Sequence, residues 1–164
     1  CGNYPPPLLV KLAPELTEEQ LQGIANVLID LKIDGVILSN TTLERPSFLD
    51  AGFAAEKGGL SGAPLRDKST HIIASFYKMT QGQIPIIGAG GISCAADAYA
   101  KIRAGASLVQ IYSGLVFYGP RLIQDINAGL ITLLKQDGFS HISEAIGADH
   151  RQNKTQGHDH ALCA

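Results

Sequence analysis

Four short apolar runs recur along the chain, each followed by a stretch of helical periodicity, and this alternation limits the fold more than any other feature. Leu8-Leu9-Val10-Lys11-Leu12 reads as a buried strand stopped at Pro14, a residue that cannot donate to a ladder. Thr17 and Gln20 then have capping-box spacing, and Leu21, Ile24, Leu28 and Leu31 recur on one helical face before Gly35. Gly35-Val36-Ile37-Leu38-Ser39 is the next strand. A helix over residues 68–79, with Ile72, Ile73, Phe76 and Met79 turned inward, leads to a third strand, Ile84-Pro85-Ile86-Ile87. An alanine-rich helix follows Ser93 and closes at Gly105. After the fourth strand, Ser107 to Tyr112, Pro120 suits position N1 of a last helix, whose apolar face carries Leu122, Ile123, Ile126, Leu130, Leu133 and Leu134.

Such a succession predicts an α/β fold with a parallel sheet and right-handed crossovers. About four β-α units are half of a (β/α)8 TIM barrel, which takes around 250 residues. A half barrel leaves two open edge strands and an uncovered inner layer. The chain is therefore expected to be insoluble, to dimerise, or to be completed by residues it does not include.

Composition narrows the function. Apolar residues make up 45% of the 164, enough for a sizeable core, and a net charge of -2 argues against a nucleic-acid surface. Cys1, Cys94 and Cys163 are far apart and lack metal-ligand spacing, so free thiols and a reducing compartment are expected. No run approaches the roughly 20 apolar residues of a bilayer span, and the N-terminus lacks a signal-peptide pattern. A start at Cys1 instead of Met is read as truncated or processed. Residues 141–164 are expected to be a C-terminal extension outside the barrel half of residues 1–140, with a mobile tail where the apolar pattern fades after about Ala148. His158, Asp159, His160 and Cys163 in that tail have no specific metal spacing, and no metal site is expected.

Two glycine-rich turns carry the functional signal. Gly88-Ala89-Gly90-Gly91 and Tyr112-Ser113-Gly114 each follow an apolar run, where glycine lets backbone N–H groups approach an anion and Ser93 starts a helix with its positive end toward the same point. Paired phosphate loops after the last two strands are a habit of barrels, whose ligand sites lie at the carboxyl ends of the strands. Lys11, just beyond an apolar stretch at such an end, is placed to hold negative charge on a ligand or reduced cofactor. Ser39-Asn40-Thr41-Thr42 offers donors and acceptors for a planar polar substrate. The connection over residues 40–64 is long enough to invite a functional role. Glu44 and Arg45 are expected to be solvated loop charges, and His71 to lie on a helix surface.

Val10-Lys11-Leu12-Ala13-Pro14, Asp34-Gly35-Val36-Ile37 with Ser39-Asn40-Thr41-Thr42, Gly58-Gly59-Leu60-Ser61-Gly62, Pro85 to Ile92, and Ala104 to Gly114 together resemble dihydroorotate dehydrogenase. The five motifs stand in the family's order from about residue 8 to 134, and their wording is similar to the quinone-dependent, membrane-associated class. The resemblance implies the C-terminal half of an FMN-containing (β/α)8 barrel that oxidises dihydroorotate to orotate in pyrimidine biosynthesis and passes the electrons to a quinone. It implies that Lys11 and Ser39 meet the flavin, with Ser39 standing where the family often has threonine. Gly62, Gly91, Tyr112 and Ser113 match further FMN contacts, and Asn40 and Thr41 the substrate-binding pair. The family's serine base, its quinone tunnel and its first barrel strands precede the Lys11 strand, so no catalytic base is expected in this chain, and the N-terminal half of the barrel is an implied partner. Residues Ser143 to His150 are similar to bacterial members, which implies an intact enzyme at the cytoplasmic face of the inner membrane; the chain by itself is expected to be cytoplasmic.

Two other readings fit parts of the pattern. Another phosphate-binding barrel enzyme would explain the paired turns but leave the Asn-Thr-Thr and Lys-Leu-Ala-Pro motifs accidental. A non-catalytic barrel fragment would stay colourless with added FMN and self-associate through its open edges.

Overall fold

In the computed structural model, which describes residues 5–151, each apolar run forms a strand: β1 (Leu9–Leu12), β2 (Gly35–Leu38), β3 (Ile86–Ala89) and β4 (Leu108–Gln110). All pair in parallel, in the order β1-β2-β3-β4. A doubly wound sheet reverses its strand order part-way and carries helices on both faces, whereas an order that never reverses winds in one sense with its helices on one side. The main helices form such a layer. These are α1 (Glu18–Asp30), α3 (Arg66–Thr80), α4 (Ala95–Ala104) and α6 (Arg121–Gln136), with α1 packed on α3, α3 on α4, and α4 on α6. The chain is thus four consecutive units of a barrel wall.

Side chains that alternate along the strands meet this layer. Val36, Leu38 and Ile86 are fully buried against Leu21, Ile73 and Phe76 in the main core. Two smaller clusters, around Ile92 and Ile126 and around Tyr99 and Ile102, sit between α4, α6 and the residues that follow. Lys11, Ile37, Ile87 and Leu108 run in register across the sheet on its other side. Leu108 there is 63% exposed, so the inner layer expected to be uncovered is present and open.

The Thr17–Gln20 capping box forms as expected, with both reciprocal bonds. Other boundaries differ. Leu31 and Ile123, expected on buried faces, are exposed, because Leu31 is the C-cap of α1 and Ile123 lies at the flank of the α6 stripe. The third helix starts at Arg66 instead of Lys68, continuing a short 3-10 turn over Ala63–Leu65. The last strand ends at Gln110, and α5 (Ser113–Tyr118) replaces part of the expected turn. Within the long connection lie α2 (Ala51–Ala54) and a Thr42–Leu60 bridge that draws its ends together.

The extension assigned to residues 141–164 is part of the fold as far as it is described. Its α7 (Ile142–Ala145) and α8 (Ala148–Arg151) bury Ala145 and Ala148, and His150 stacks on Tyr77 while its Nε2 meets the Ala104 carbonyl 2.9 Å away. One-turn helices lack the periodicity that sequence reading detects. The rest of the expected tail, with the His158-Asp159-His160 group, lies outside the described residues. Cys94, expected as a free thiol, is disulfide-bonded, since spacing in sequence does not reveal which side chains the fold joins. No helix among the described residues is long and apolar enough to cross a membrane.

Candidate functional site

The carboxyl ends of all four strands open into one cavity of about 400 Å³. Lys11 reaches it from β1, Ser39, Asn40 and Thr41 from the end of β2, Gly91 from the turn after β3, and Tyr112 and Ser113 from the end of β4. Gly62 closes it from the long connection. Every residue singled out from the sequence for cofactor or substrate therefore lines the same space. Arg66, Gln110, Phe117 and Tyr118 line it too, and sequence reading passed over them.

Close backbone approach explains the glycines. Gly91 has φ +70°, and a Cβ placed on it would lie 2.5 Å from Arg66 Cα and 2.6 Å from Arg66 N, so the turn rests directly on the first residue of α3. Gly62, with φ +82°, brings the long connection against the β4 turn: its Cβ would stand 3.7 Å from that of Ser113, and Ser61 Oγ lies 2.9 Å from Ser113 Oγ. The third and fifth motifs of the sequence thus meet at the cavity.

The same connection is tied down by charges expected to be solvated. Arg45 donates to the carbonyls of Leu43, Glu44, Glu56 and Gly58, which span the loop from its start to its glycine end. Glu15 accepts from Thr42 Oγ1 and, at 3.0 Å, from the Leu43 N–H. Burial alone would raise the Glu15 carboxyl, but these bonds and the Lys68 ammonium outweigh it and hold it below its ordinary value. Glu44, by contrast, is largely exposed and pairs with Lys68, close to expectation, and His71 is exposed on α3 as expected, with Glu18 3.8 Å away. Asn40 and Thr41 lie between this anchored loop and the end of β2, where the Asn40 N–H donates to the Leu12 carbonyl at 2.8 Å.

Behind the β3 turn lies a second set of charges. Arg66 Nε pairs with Asp97 at 2.8 Å and donates to the Gly91 carbonyl at 3.2 Å. Asp97 accepts from both the N–H and the hydroxyl of Ser93 at 2.8 Å. The Ser93 N–H, expected to face a bound anion, is therefore already engaged; the carboxylate one turn into α4 competes for it more closely than any ligand. An arginine in the first turn of a helix opposes the helix dipole. That mismatch is the sequence signal for Arg66, since it needs a tertiary partner such as Asp97.

The cavity is thus lined by two cations, several hydroxyls and amides, and glycine turns, with no carboxylate, histidine or thiol among its described residues. It can hold an anion and orient a polar ring, but the Ser61 and Ser113 hydroxyls have no base beside them. Against this geometry, the family model for dihydroorotate dehydrogenase matches residues 3–134. The chain belongs to the dihydroorotate dehydrogenase family. It is 53% identical over 146 residues to the dihydroorotate dehydrogenase (quinone) of Azorhizobium caulinodans, covering 89% of this chain and 41% of that protein. With the mitochondrial dihydroorotate dehydrogenase (quinone) of Arabidopsis thaliana it shares 53% over 148 residues, covering 90% of this chain and 32% of the relative. The crystal structure of ligand-free DHODH from Eimeria tenella superposes with a TM-score of 0.85 at 44% identity, over 89% of this chain and 40% of that one. The chain spans about two fifths or less of the length of these relatives.

Proposed function

We propose that the chain forms the flavin-phosphate and substrate-binding end of an enzyme that oxidises dihydroorotate to orotate with FMN and passes the electrons to a quinone. The convergence of Lys11, Ser39, Asn40, Thr41, Gly62, Gly91, Tyr112 and Ser113 on one cavity carries this reading. The donor set fits FMN. Gly91 turns at φ +70° where a Cβ would strike Arg66, so glycine alone lets this stretch of backbone line the cavity, and Tyr112 and Ser113 line it from the neighbouring strand end, a pair suited to a phosphate. Lys11, Ser39 and Gly62 would meet the ring. Bound FMN supplies a two-electron acceptor for the substrate and a donor for the quinone.

The chain's own residues bind and orient. Lys11 is exposed at the mouth of β1, so its ammonium needs little reorganisation to stabilise negative charge on a ring beside it. Asn40 offers two donors and an acceptor in a plane, and Thr41 adds a hydroxyl, which suits a ring bearing amide groups and a carboxylate. Among the described residues that line the cavity there is no carboxylate or imidazole to take a substrate proton, so that role falls to the rest of the barrel, whose strands would also cover the open row at Ile37, Ile87 and Leu108. Attachment of the whole enzyme to the cytoplasmic face of a bacterial membrane belongs to the same reading.

Flavin fluorescence tests it. The chain should quench FMN with an affinity at least about tenfold above that for riboflavin, which lacks the phosphate, the discrimination expected from one or two charge-assisted bonds. Lys11→Ala should weaken both flavins by a similar factor without changing thermal stability. Binding of a phosphate ester without any flavin would instead move the chain to another kind of phosphate-binding barrel.

A further inference from the structure

Lys101 lies on α4, where a lysine reads as a surface residue, yet its side chain is fully buried. Its stem passes under β3, where a Cβ on Gly88 would come within 3.3 Å of the Lys101 Cβ. Its three ammonium protons have three acceptors: Ser69 Oγ, Thr70 Oγ1 at 2.9 Å and the Arg66 carbonyl at 3.2 Å. Burial pushes the group down to about 8, Asp97 and Asp67 oppose that shift and Arg66 adds to it, so Lys101 is charged at neutral pH.

Ser69 is itself fully buried and stands within 3.1 Å of both the Gly90 and the Arg66 carbonyls, but a hydroxyl has one proton. The Arg66 carbonyl is already served by Lys101 and by Thr70 Oγ1 at 2.9 Å. With Lys101 donating to Ser69 Oγ, the Ser69 proton is left for Gly90. The Gly90–Gly91 peptide is trans, so its C=O and N–H point in opposite directions. A Gly90 carbonyl held back toward Ser69 therefore turns the Gly91 N–H toward the cavity.

From this geometry we propose that Lys101 is a positioning residue for the anion cradle, acting through Ser69 to aim the Gly91 N–H at a bound phosphate. The inference rests on the phosphate part of the function proposed above and not on the flavin. Arg66 completes the arrangement by holding the next carbonyl, that of Gly91. The relay is neutral where it reaches the turn, so the lysine contributes orientation while the ligand's charge is met by the backbone N–H.

The test is a titration of the ¹⁵N-labelled 164-residue chain with inorganic phosphate, read at the Gly91 amide resonance. Lys101→Met and Ser69→Ala should each raise the apparent Kd by about tenfold, the value of one oriented hydrogen bond. The double variant should be no weaker than Lys101→Met alone, because both remove one relay. Thr70→Val, which removes a Lys101 partner that does not touch the turn, should lower thermal stability and leave phosphate binding within twofold. If Lys101→Met does not fold, Ser69→Ala decides, since it keeps the ammonium. Unchanged phosphate binding in Ser69→Ala, or additive losses in the double variant, would overturn the relay. No phosphate response in the unaltered chain would overturn the cradle and the role of Lys101 with it. A response that Lys101→Met abolishes in a chain that binds no FMN would keep Lys101 and remove the flavin.

Discussion

Replacing Gly91 with alanine is expected to abolish binding of a phosphate-bearing ligand and to cost about 3 kcal/mol or more of stability. Two effects add at this position. The residue has φ +70°, a conformation that costs an L-residue about 1–2 kcal/mol. Its new Cβ would also stand 2.5 Å from the Arg66 Cα, a backbone atom that cannot rotate away. Relief requires the turn to separate from α3, and that moves the N–H groups that define the cradle. Two other glycines separate the terms. Gly138, just after the C-cap of α6, has φ +75° with no atom within 4 Å of an added Cβ, so Gly138→Ala should show the conformational cost alone; Gly58, with ordinary φ and open space, should be near neutral. Urea unfolding of the three variants checks the ranking. Equal losses at Gly91 and Gly138 would mean that the turn does not rest on α3.

The second large effect is in the core. Phe76 on α3 is fully buried with Ile73, Leu28 and Ile86, at the junction of α1, α3 and the sheet. Phe76→Ala should cost about 3–5 kcal/mol, comparable to much of the 5–15 kcal/mol that holds an ordinary domain together. The open inner face gives the four-unit wall less burial than a closed barrel, so this variant should be substantially unfolded at 37 °C. Phe117→Ala, at an 81% exposed residue on α5, should change stability by less than about 0.5 kcal/mol. Circular dichroism against temperature distinguishes them, and a stable, cooperatively melting Phe76→Ala chain would contradict the assignment of this core.

The strands were legible as short continuous apolar runs, the mark of a parallel strand, and the principal helices by the 3.6-residue period along α1 and α6. The ligand cavity was legible for a related reason. In a singly wound sheet the carboxyl ends of the strands share one rim, so motifs that follow strands meet even when 100 residues apart, as Lys11 and Tyr112 do. Short elements such as α2, α5, α7 and α8 escaped because four to six residues carry too little periodicity. Arg45 and Lys101 escaped for another reason. Both are cations that reach carbonyls or hydroxyls well removed in sequence, Glu56 and Gly58 for Arg45 and Arg66, Ser69 and Thr70 for Lys101, and no local pattern separates such a residue from one that faces water. Arg66 was readable in principle from its unfavourable place at a helix start.

In the proposed function, this chain supplies the flavin and substrate contacts while the proton acceptor comes from the rest of the barrel. The most direct measurement is the bleaching of flavin absorbance by dihydroorotate, followed anaerobically on the purified 164-residue chain with FMN, alone and with a supplied N-terminal barrel half. Bleaching should occur only in the complemented protein, since loss of a general base alone removes about 10²–10⁴-fold of rate and the open wall fails to exclude water. Rapid bleaching by the chain alone would contradict the account and require a base among the residues that line its cavity.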